Sequence, residues 1–358
     1  MKLLLFVQGE GRGHMSQALT LQEKLKNSGH EVAAVFIGAS NLKDVPDFFK
    51  KQFSCPIYPI TSPKFKTDKN NKGVNIFKSI FFSILETPKY IKSVKKINSI
   101  TKQTKPDALI SFYEPLLGNY LRLYKNNTPS FFIGHQYFLN HDDFQKYITF
   151  KDRCFFNLYN RFTAPKKSIK IALSFTKEKD IKRKNLYVCP PLIKSPIKNS
   201  NPRNKPYVLS YILNPGYLKD LKREAITHKN LKIETFTKEK LNNFEIPKNL
   251  NINLLSNELF IKKLSECSYY ISTAGFDSIS EAAYLQKQIQ LIPTKGHIEQ
   301  KYNGIDAERS GIGINSNKFD LSLFFKEKTN KESLLAFKEW VDKFDNKIIQ
   351  IIENLIKD

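Results

Sequence analysis

Residues 271–311, ISTAGFDSISEAAYLQKQIQLIPTKGHIEQKYNGIDAERSG, concentrate side chains suited to holding a phosphorylated ligand. The stretch reads as a strand end, a glycine turn and a helix start at residues 278–283 that carries the carboxylate of Glu281. Backbone N–H groups at a helix start attract phosphate, because the helix dipole and the unpaired donors point the same way. The carboxylate can accept hydrogen bonds from the two hydroxyls of a ribose. The candidate ligands are Thr273, Gly275, Ser278 and Glu281.

Glu299 and Gln300 follow in the next polar loop and helix. A carboxylate beside an amide offers both acceptors and donors, which suits the hydroxyls of a sugar ring. Phosphate, ribose and sugar sites in one stretch predict a nucleotide-sugar ligand. Glu281 could instead only complement a helix dipole, and the Glu299–Gln300 pair could be solvated loop residues.

A glycine loop, QGEGRGH, follows the first predicted strand, Lys2–Val7, and leads into a helix. Its spacing matches neither the dinucleotide fingerprint nor the P-loop. Gly11 and Gly13 permit close backbone approach, although they could serve only a tight turn. His14 comes at the helix start beside Arg12, where the dipole and the guanidinium favour a neutral imidazole that can take a proton. A structural role for His14 is equally open.

The order of the predicted elements indicates two α/β domains. Strand, loop, helix and strand alternate through the first half and again after residue 206, which is the pattern of doubly wound parallel sheets. A proline- and asparagine-rich stretch without apolar periodicity separates the two series. We predict two Rossmann-like domains facing each other across a cleft, with C-terminal helices returning to the first. The predicted divisions are 1–190, the linker 191–206, 207–330 and the helices 331–358.

Composition narrows the class of protein. The 358 residues contain no run of about 18 uncharged apolar residues, so we expect no spanning helix and a cytoplasmic protein. The four cysteines are far apart, which argues against a metal site.

The net charge of +24 is concentrated in the first half, at +18 for residues 1–190 (32 Lys and Arg against 14 Asp and Glu). This charge could serve to attract an anionic partner, or it could reflect only a surface that is rich in lysine throughout.

Two motifs together resemble a known family. VQGEGRGHMSQALTL near the start and TAGFDSISEAAYLQKQIQLIPTKGHIEQKYNG near the end are similar to GT-B glycosyltransferases. The resemblance is to a bacterial family-1-like branch related to glycosyltransferase family 28, which includes the peptidoglycan N-acetylglucosaminyl transferase and diacylglycerol glycosyltransferases. Residues 105–116 and 134–136 extend it, so both halves are covered in order.

The resemblance implies roles for individual residues. Glu281 would bind the nucleotide ribose, Gly275 would face the diphosphate, and Glu299 with Gln300 would contact the donor sugar. His14 lies where relatives place a base or an acceptor-loop histidine, and Glu114 is its rival as the base. The first loop of the second domain lacks the glycine-serine cluster of some relatives, and Asn214 could substitute for it. His135, with Gly11, Arg12 and Gly13, is assigned to the acceptor side.

The implied reaction moves a hexosyl or N-acetylhexosaminyl group from a nucleotide-diphosphate sugar, with uridine as the expected base, to an acceptor hydroxyl. Inversion is expected, and neither metal nor cofactor is expected, since no Asp-x-Asp occurs to hold a divalent ion. Residues 64–105 contain eleven lysines and many apolar residues, a composition typical of an interfacial helix. It suggests peripheral binding to an anionic membrane and a lipid-linked acceptor of the cell envelope, although the apolar side could equally pack on the sheet.

Two other classes of function compete. A sugar-nucleotide epimerase shares the two-domain fold but needs its own acid and base, which the sequence does not identify. A nucleic-acid-binding protein would suit the basic charge, yet no recognised module occurs and aromatic residues are not interleaved with the basic ones. We therefore expect no nucleic acid partner.

Overall fold

The computed structural model describes residues 1–63, 85–212, 215–237, 245–327 and 329–357. These residues form two compact units, each with its own parallel sheet. The first comprises residues 1–63, 85–192 and 344–357, and the second comprises residues 193–343 with the gaps just given.

The first unit contains a seven-stranded sheet in which every neighbouring pair is parallel. Its strand order is β3-β2-β1-β4-β5-β6-β7, so the order reverses beside β1. The strands are β1 (Lys2–Val7), β2 (Glu31–Gly38), β3 (Ile57–Ile60), β4 (Ala108–Phe112), β5 (Ser130–Gly134), β6 (Ile169–Leu173) and β7 (Leu186–Cys189).

The second unit contains a six-stranded parallel sheet in the order β10-β9-β8-β11-β12-β13. The strands are β8 (Lys205–Tyr211), β9 (Lys232–Thr237), β10 (Leu250–Leu254), β11 (Cys267–Ser272), β12 (Gln288–Leu291) and β13 (Ile314–Asn315). Two doubly wound parallel sheets confirm the predicted fold class. Ligands of such sheets bind beyond the carboxyl ends of the strands.

Helices connect and flank the strands. In chain order they are α1 (Gly13–Asn27), α2 (Asp47–Lys50), α3 (Thr87–Thr104), α4 (Pro115–Tyr124), α5 (Phe150–Thr163), α6 (Ser195–Lys198), α7 (Leu218–Thr227), α8 (Asn257–Glu266), α9 (Phe276–Tyr284), α10 (Ile298–Arg309), α11 (Leu323–Lys326), α12 (Lys331–Lys343) and α13 (Lys347–Lys357). Short 3-10 turns occur at Leu42–Asp44, His135–Asn140, Asp142–Tyr147, Lys182–Lys184 and Pro215–Tyr217. Among the residues that the structure describes, no helix combines the length and apolar character that crossing a bilayer requires.

Three strands, β3, β6 and the two-residue β13, were not predicted from the sequence, and the first two have a local reason. β3 lies at the sheet edge and contains Pro59, which an edge strand tolerates because one side of its backbone needs no ladder partner. β6 carries Lys170 among its apolar residues, and the ammonium group donates to the carbonyls of Ser168 and Lys184 at 3.0 and 3.1 Å. These bonds compensate a lysine that breaks the apolar pattern.

The basic segment predicted as an interfacial helix is described only from residue 85 onward, so most of its apolar residues lie outside the described part. Helix α3 begins beside Pro88 and buries Val94 and Ile97, whereas Ile91 is half exposed. The apolar side of this helix therefore packs on its own unit, as the second of the two sequence interpretations proposed.

The predicted linker and the predicted C-terminal helices do not each belong to a single unit. Residues 193–206 belong to the second unit, where Ile193 and Ile197 are buried, and α12 belongs there too. Helix α13 belongs to the first unit, where Glu353 accepts a hydrogen bond from His30 at 2.8 Å. The chain therefore returns to its first unit at the last helix.

Glu234 is a buried carboxylate in the middle of the second sheet. Its oxygens accept hydrogen bonds from Asn251 and Asn253 on the neighbouring strand β10, at 3.2 and 3.0 Å. The ammonium groups of Lys232 and Lys263 both lie 2.9 Å from Oε1. Burial alone would raise the pKa of Glu234, but the hydrogen bonds from Asn253 and the two lysines lower it to about 2.

We expect Glu234→Gln to lower the free energy of unfolding by about 2 kcal/mol at neutral pH, because a charged acceptor is lost from this network. The wild-type pKa lies below its ordinary value, so the stabilisation is complete above about pH 4.5 and is lost as the pH falls toward about 2. Denaturant titrations across this range should show a steeper loss for the wild type than for the variant. Glu245→Gln, at an exposed pair with Lys222, serves as the control and should leave the free energy of unfolding unchanged within experimental error.

Candidate functional site

The turn after β11 presents an open helix start. Helix α9 begins at Phe276, and its N-cap is Gly275, which has no side chain to cap the first N–H groups. The sequence analysis placed the helix start near Ser278, which is two residues too late. The strained residue of the turn is Ala274, with φ of 57°, and its carbonyl accepts a hydrogen bond from Asn303 Nδ2 at 2.9 Å. The first N–H groups of α9 are thus held in place without a capping side chain.

Gly275 leaves room beside these N–H groups. Its φ of −74° is open to any residue, and a Cβ added here would meet only Ser278 Oγ, at 3.5 Å. The backbone conformation therefore does not require glycine. The consequence of its missing side chain is an exposed backbone at the helix start, where an anion is favoured.

Thr273 and Ser278 flank this turn, and both are half-buried. Ser278 Oγ donates to the Gly275 carbonyl at 3.1 Å, so in this conformation its proton points back to the turn. Its oxygen can still accept a hydrogen bond from a ligand.

Glu281 lies in the second turn of α9 and is only 3% exposed. Its Oε1 lies 2.9 Å from the ammonium group of Lys194, just before α6. Burial alone would lower the pKa of Lys194, but attraction and a hydrogen bond from Glu281, with smaller effects of Asp277 and Tyr211, raise it above its usual value. Glu281 is therefore a buried carboxylate, one oxygen of which is held by the ammonium group of the partly exposed Lys194.

Glu299 and Gln300 stand in the first turn of α10, and both are half-buried. His297 caps this helix, since its Nδ1 accepts from the Gln300 backbone N–H at 3.3 Å. Gln300 Oε1 accepts from the Thr294 N–H at 2.9 Å, which ties the amide oxygen to the preceding loop. The amide nitrogen of Gln300 and the carboxylate of Glu299 are the groups suited to sugar hydroxyls. Asn214, the remaining predicted donor ligand, lies outside the described residues.

A cavity of about 780 Å³ runs along the flank of α7 and reaches Pro293 and Lys295. It contains Glu224, His228 and Asp320, whose potential ligand atoms lie within 4.8 Å of one another. The oxygens of Glu224 accept from Arg223 Nε at 3.3 Å and from the Leu321 N–H at 3.0 Å. The cluster thus has its own internal partners, and the expectation that no metal is needed stays a prediction.

In the first unit, the glycine loop after β1 approaches the end of β2. A Cβ at Gly9 would stand 1.8 Å from the Gly38 carbonyl oxygen, so only glycine fits there. Gly11 has φ of 75°, which glycine adopts without strain. Helix α1 then begins at Gly13 with Arg12 as its N-cap, and the guanidinium of Arg12 lies over the Phe48 ring.

His14 is the second residue of α1 and is half-buried. Its ring stacks on Tyr113, with 6.0 Å between centroids and 21° between planes. Tyr113 has φ of 59°, and its hydroxyl donates to Asn160 Oδ1 at 2.7 Å. The imidazole is therefore oriented by an aromatic ring that is itself fixed by hydrogen bonding.

Glu114 directly follows Tyr113 and is completely buried. Its Oε1 accepts from Ser62 Oγ at 2.5 Å and from the Leu116 N–H at 3.1 Å, so it caps helix α4. His135 is also buried, and its Nδ1 lies 2.8 Å from the Leu173 carbonyl, to which it donates. Of the predicted acceptor-side residues, His14 and Arg12 are the more exposed and Glu114 and His135 are enclosed.

Comparisons with known proteins agree with this architecture. Residues 1–327 match the profile of glycosyl transferase family 1. The chain belongs to this family. The transferase is also 26% identical over 346 residues to an uncharacterized glycosyltransferase of Methanosarcina mazei, across 87% of this chain and 85% of the relative.

Solved structures show the same fold over the whole transferase. MurG of Acinetobacter baumannii superimposes with a TM-score of 0.59 at 16% identity, covering 99% of both chains. Phytolacca americana UGT2, in complex with UDP-2-fluoro-glucose and pterostilbene, superimposes with a TM-score of 0.65 at 12% identity, covering 100% of both. These neighbours confirm the expected GT-B fold, and the profile match confirms the glycosyltransferase family.

Sequence reasoning missed Lys194 as a candidate site residue of the transferase, because it assigned the residue to a linker. The available signal was a single lysine in the otherwise apolar and proline-rich stretch PPLI-K-SPI after β7. An isolated charge in such a stretch requires a partner once it is buried. Glu281 is that partner.

We expect Lys194→Met to lower the free energy of unfolding by about 2 kcal/mol, because Glu281 would be left buried without its counter-charge. The double variant Lys194→Met/Glu281→Gln should recover most of this loss, which urea denaturation can measure as a coupling energy. Lys50→Met removes an exposed pair with Asp47 and provides a control, for which we expect less than about 0.5 kcal/mol. Equal losses in the single and double variants would contradict the pairing.

Proposed function

We propose that this transferase moves a hexosyl or N-acetylhexosaminyl group from a nucleotide-diphosphate sugar, with uridine as the base, to an acceptor hydroxyl. The observation that carries the proposal is the buried Glu281, paired with Lys194, one turn inside a helix whose N-cap is the side-chain-free Gly275. A carboxylate accepts hydrogen bonds from ribose hydroxyls, and the N–H groups at the helix start donate hydrogen bonds to a diphosphate.

The remaining donor residues extend the same arrangement. Glu299 and the amide nitrogen of Gln300 supply an acceptor and a donor for the sugar ring, on a helix that contacts α9. UGT2, which shares the fold, is complexed with UDP-2-fluoro-glucose, and this supports a uridine nucleotide for the present chain.

The proposed reaction is an in-line displacement that inverts the anomeric centre. The acceptor oxygen forms a bond to the anomeric carbon as the bond from that carbon to the diphosphate oxygen breaks, and the hydroxyl proton passes to a base. The first N–H groups of α9 stabilise the charge that develops on the leaving diphosphate, because they are already oriented before the reaction. This arrangement needs neither a metal nor a cofactor.

His14 is the stronger candidate for the base. Its imidazole is half-buried and oriented by Tyr113, so it is accessible to an acceptor hydroxyl. Glu114 is fully enclosed and already accepts from Ser62 and the Leu116 N–H. We assign Glu114 a positioning role, since it caps the helix that follows Tyr113.

The acceptor is proposed to be lipid-linked and held at the inner face of the cytoplasmic membrane. The support for this is the excess of +18 over residues 1–190, which favours an anionic surface.

We expect UDP-sugars to raise the melting temperature of the wild-type protein, because a ligand that binds only the folded state stabilises it by mass action. Glu281→Ala should weaken nucleotide binding about tenfold or more, since two charge-assisted hydrogen bonds to the ribose are lost. Isothermal titration calorimetry with UDP measures this loss directly.

The matched control is Glu339→Ala, which removes an exposed carboxylate of the same unit and should leave the affinity unchanged. Absence of a thermal shift with every nucleotide tested would contradict the proposed donor class. If NMR shows a free nucleotide-sugar with inverted ring stereochemistry at unchanged mass, the enzyme is an epimerase and the proposed transfer is wrong.

We expect His14→Ala to lower kcat by about 10²–10⁴ with little change in nucleotide affinity, because a general base acts in the chemical step. Glu114→Gln should mainly lower the melting temperature. Steady-state kinetics over pH, together with nucleotide titration, separates the two residues. The opposite result would identify Glu114 as the base. In that case Glu114→Gln would abolish turnover without changing stability, and His14→Ala would not abolish turnover.

A further inference from the structure

Helix α5 turns apolar side chains toward solvent. Phe150 and Leu158 are 79% and 73% exposed, and Phe162 is 38% exposed. Cys154 is exposed as well. These four residues follow each other at intervals of four, so they form one stripe along the helix, which we call the α5 stripe. The outer face of a surface helix is ordinarily polar, so this stripe calls for an explanation.

The inner side of the helix shows why the stripe faces outward. Asn160 is buried, accepts from the Tyr113 hydroxyl at 2.7 Å, and donates to the Gln136 carbonyl at 2.9 Å. Thr163 is buried and bonds with the Tyr137 hydroxyl at 3.1 Å. These polar contacts fix the rotation of α5 about its axis. The apolar residues are therefore held outside by the packing of the helix.

Further apolar residues lie at the C-terminal end of the stripe. The guanidinium of Arg122 donates to the carbonyls of Phe162 and Arg161, which brings the end of α4 beside the end of α5. Leu123 in this part of α4 is 68% exposed. The exposed apolar surface thus continues from one helix to the next.

Basic residues surround the α5 stripe. Lys151 and Arg161 are exposed on the helix itself. Between Phe144 and Lys170 the sequence contains a single acidic residue, Asp152. Exposed basic residues also lie before and after the helix and at the end of α4, namely Lys146, Lys166, Lys167 and Lys125.

We propose that the α5 stripe and its basic rim dock on an anionic lipid bilayer. Apolar side chains projecting from a basic helix enter the boundary between headgroups and acyl chains, while the lysine and arginine groups meet lipid phosphates. A symmetric pairing with a second copy would set Lys151 and Arg161 against their own counterparts, and the like charges would repel. Charge therefore favours a bilayer over self-association. The α5 stripe and its basic rim include no residue of the segment 64–105, and the proposal does not depend on the proposed donor chemistry.

Co-sedimentation with vesicles tests the proposal, using neutral phosphatidylcholine alone and phosphatidylcholine mixed with anionic phosphatidylglycerol. The wild-type chain should bind the anionic vesicles, and binding should weaken as salt is added. Phe150→Ser/Leu158→Ser should bind about tenfold or more weakly, because two apolar anchors are lost. Lys151→Glu/Arg161→Glu should lose binding to anionic vesicles specifically.

Ile226→Ser/Leu335→Ser is the matched control, since it removes two apolar side chains of the second unit that are 52% and 49% exposed. This variant should bind vesicles like the wild type. All variants should keep the wild-type melting temperature and nucleotide response, which separates a failure here from a failure of the proposed function. An environment-sensitive fluorophore on Cys154 should shift its emission to shorter wavelength on anionic vesicles.

Three results would overturn the proposal. The first is a wild-type chain that does not bind anionic vesicles at low salt, and the second is equal vesicle binding by wild type and Phe150→Ser/Leu158→Ser. The third is a dimer in light scattering that this double substitution dissociates, which would assign the stripe to a second copy of the chain.

Discussion

A carboxylate that is almost wholly removed from water must be paired, and this requirement organises the predicted donor side of the transferase. Lys194 meets it for Glu281 from a segment that comes just before the second sheet begins. The pairing fixes the segment at residues 193–198 against helix α9, so the start of the second unit is tied to the helix that carries Glu281. A nucleotide that binds through Glu281 must share the carboxylate with an existing partner. Its affinity is therefore a difference between two sets of charge-assisted bonds.

Strands that are continuously apolar were predicted closely, because burial on both faces leaves no polar residue to confuse the pattern. The bounds of β1 are reproduced from the sequence, whereas β3 and β6 were missed because Pro59 and Lys170 interrupt their apolar runs. The predicted start of α9 at Ser278 was two residues too late. Serine is a common N-cap residue, and the residue type of Gly275 does not reveal that its backbone is extended.

The candidate site was predictable in its residues but not in their surroundings. Glu281, Glu299 and Gln300 were singled out by type and spacing, and they do lie on two contacting helices of one unit. Their functional roles stay predictions. Burial separates His14 from Glu114 and depends on packing that distant residues supply, including Ser62 and Tyr113. The outward stripe of α5 was equally hidden, since apolar periodicity predicts an inward face and the hydrogen bonds of Asn160 decide otherwise.

Helix α13 has a consequence for how the chain folds during synthesis. Its Ile348, Ile349 and Ile352 are buried in the first unit, and Asp345 just before it lies 2.5 Å from Lys24 of α1. Domains generally fold in the order in which the ribosome releases them, yet here the first unit lacks part of its core until residues 344–357 have been made. The second unit, whose residues all precede that point, can complete its own core earlier. The N-terminal unit of this transferase is therefore expected to be the last to reach its native packing.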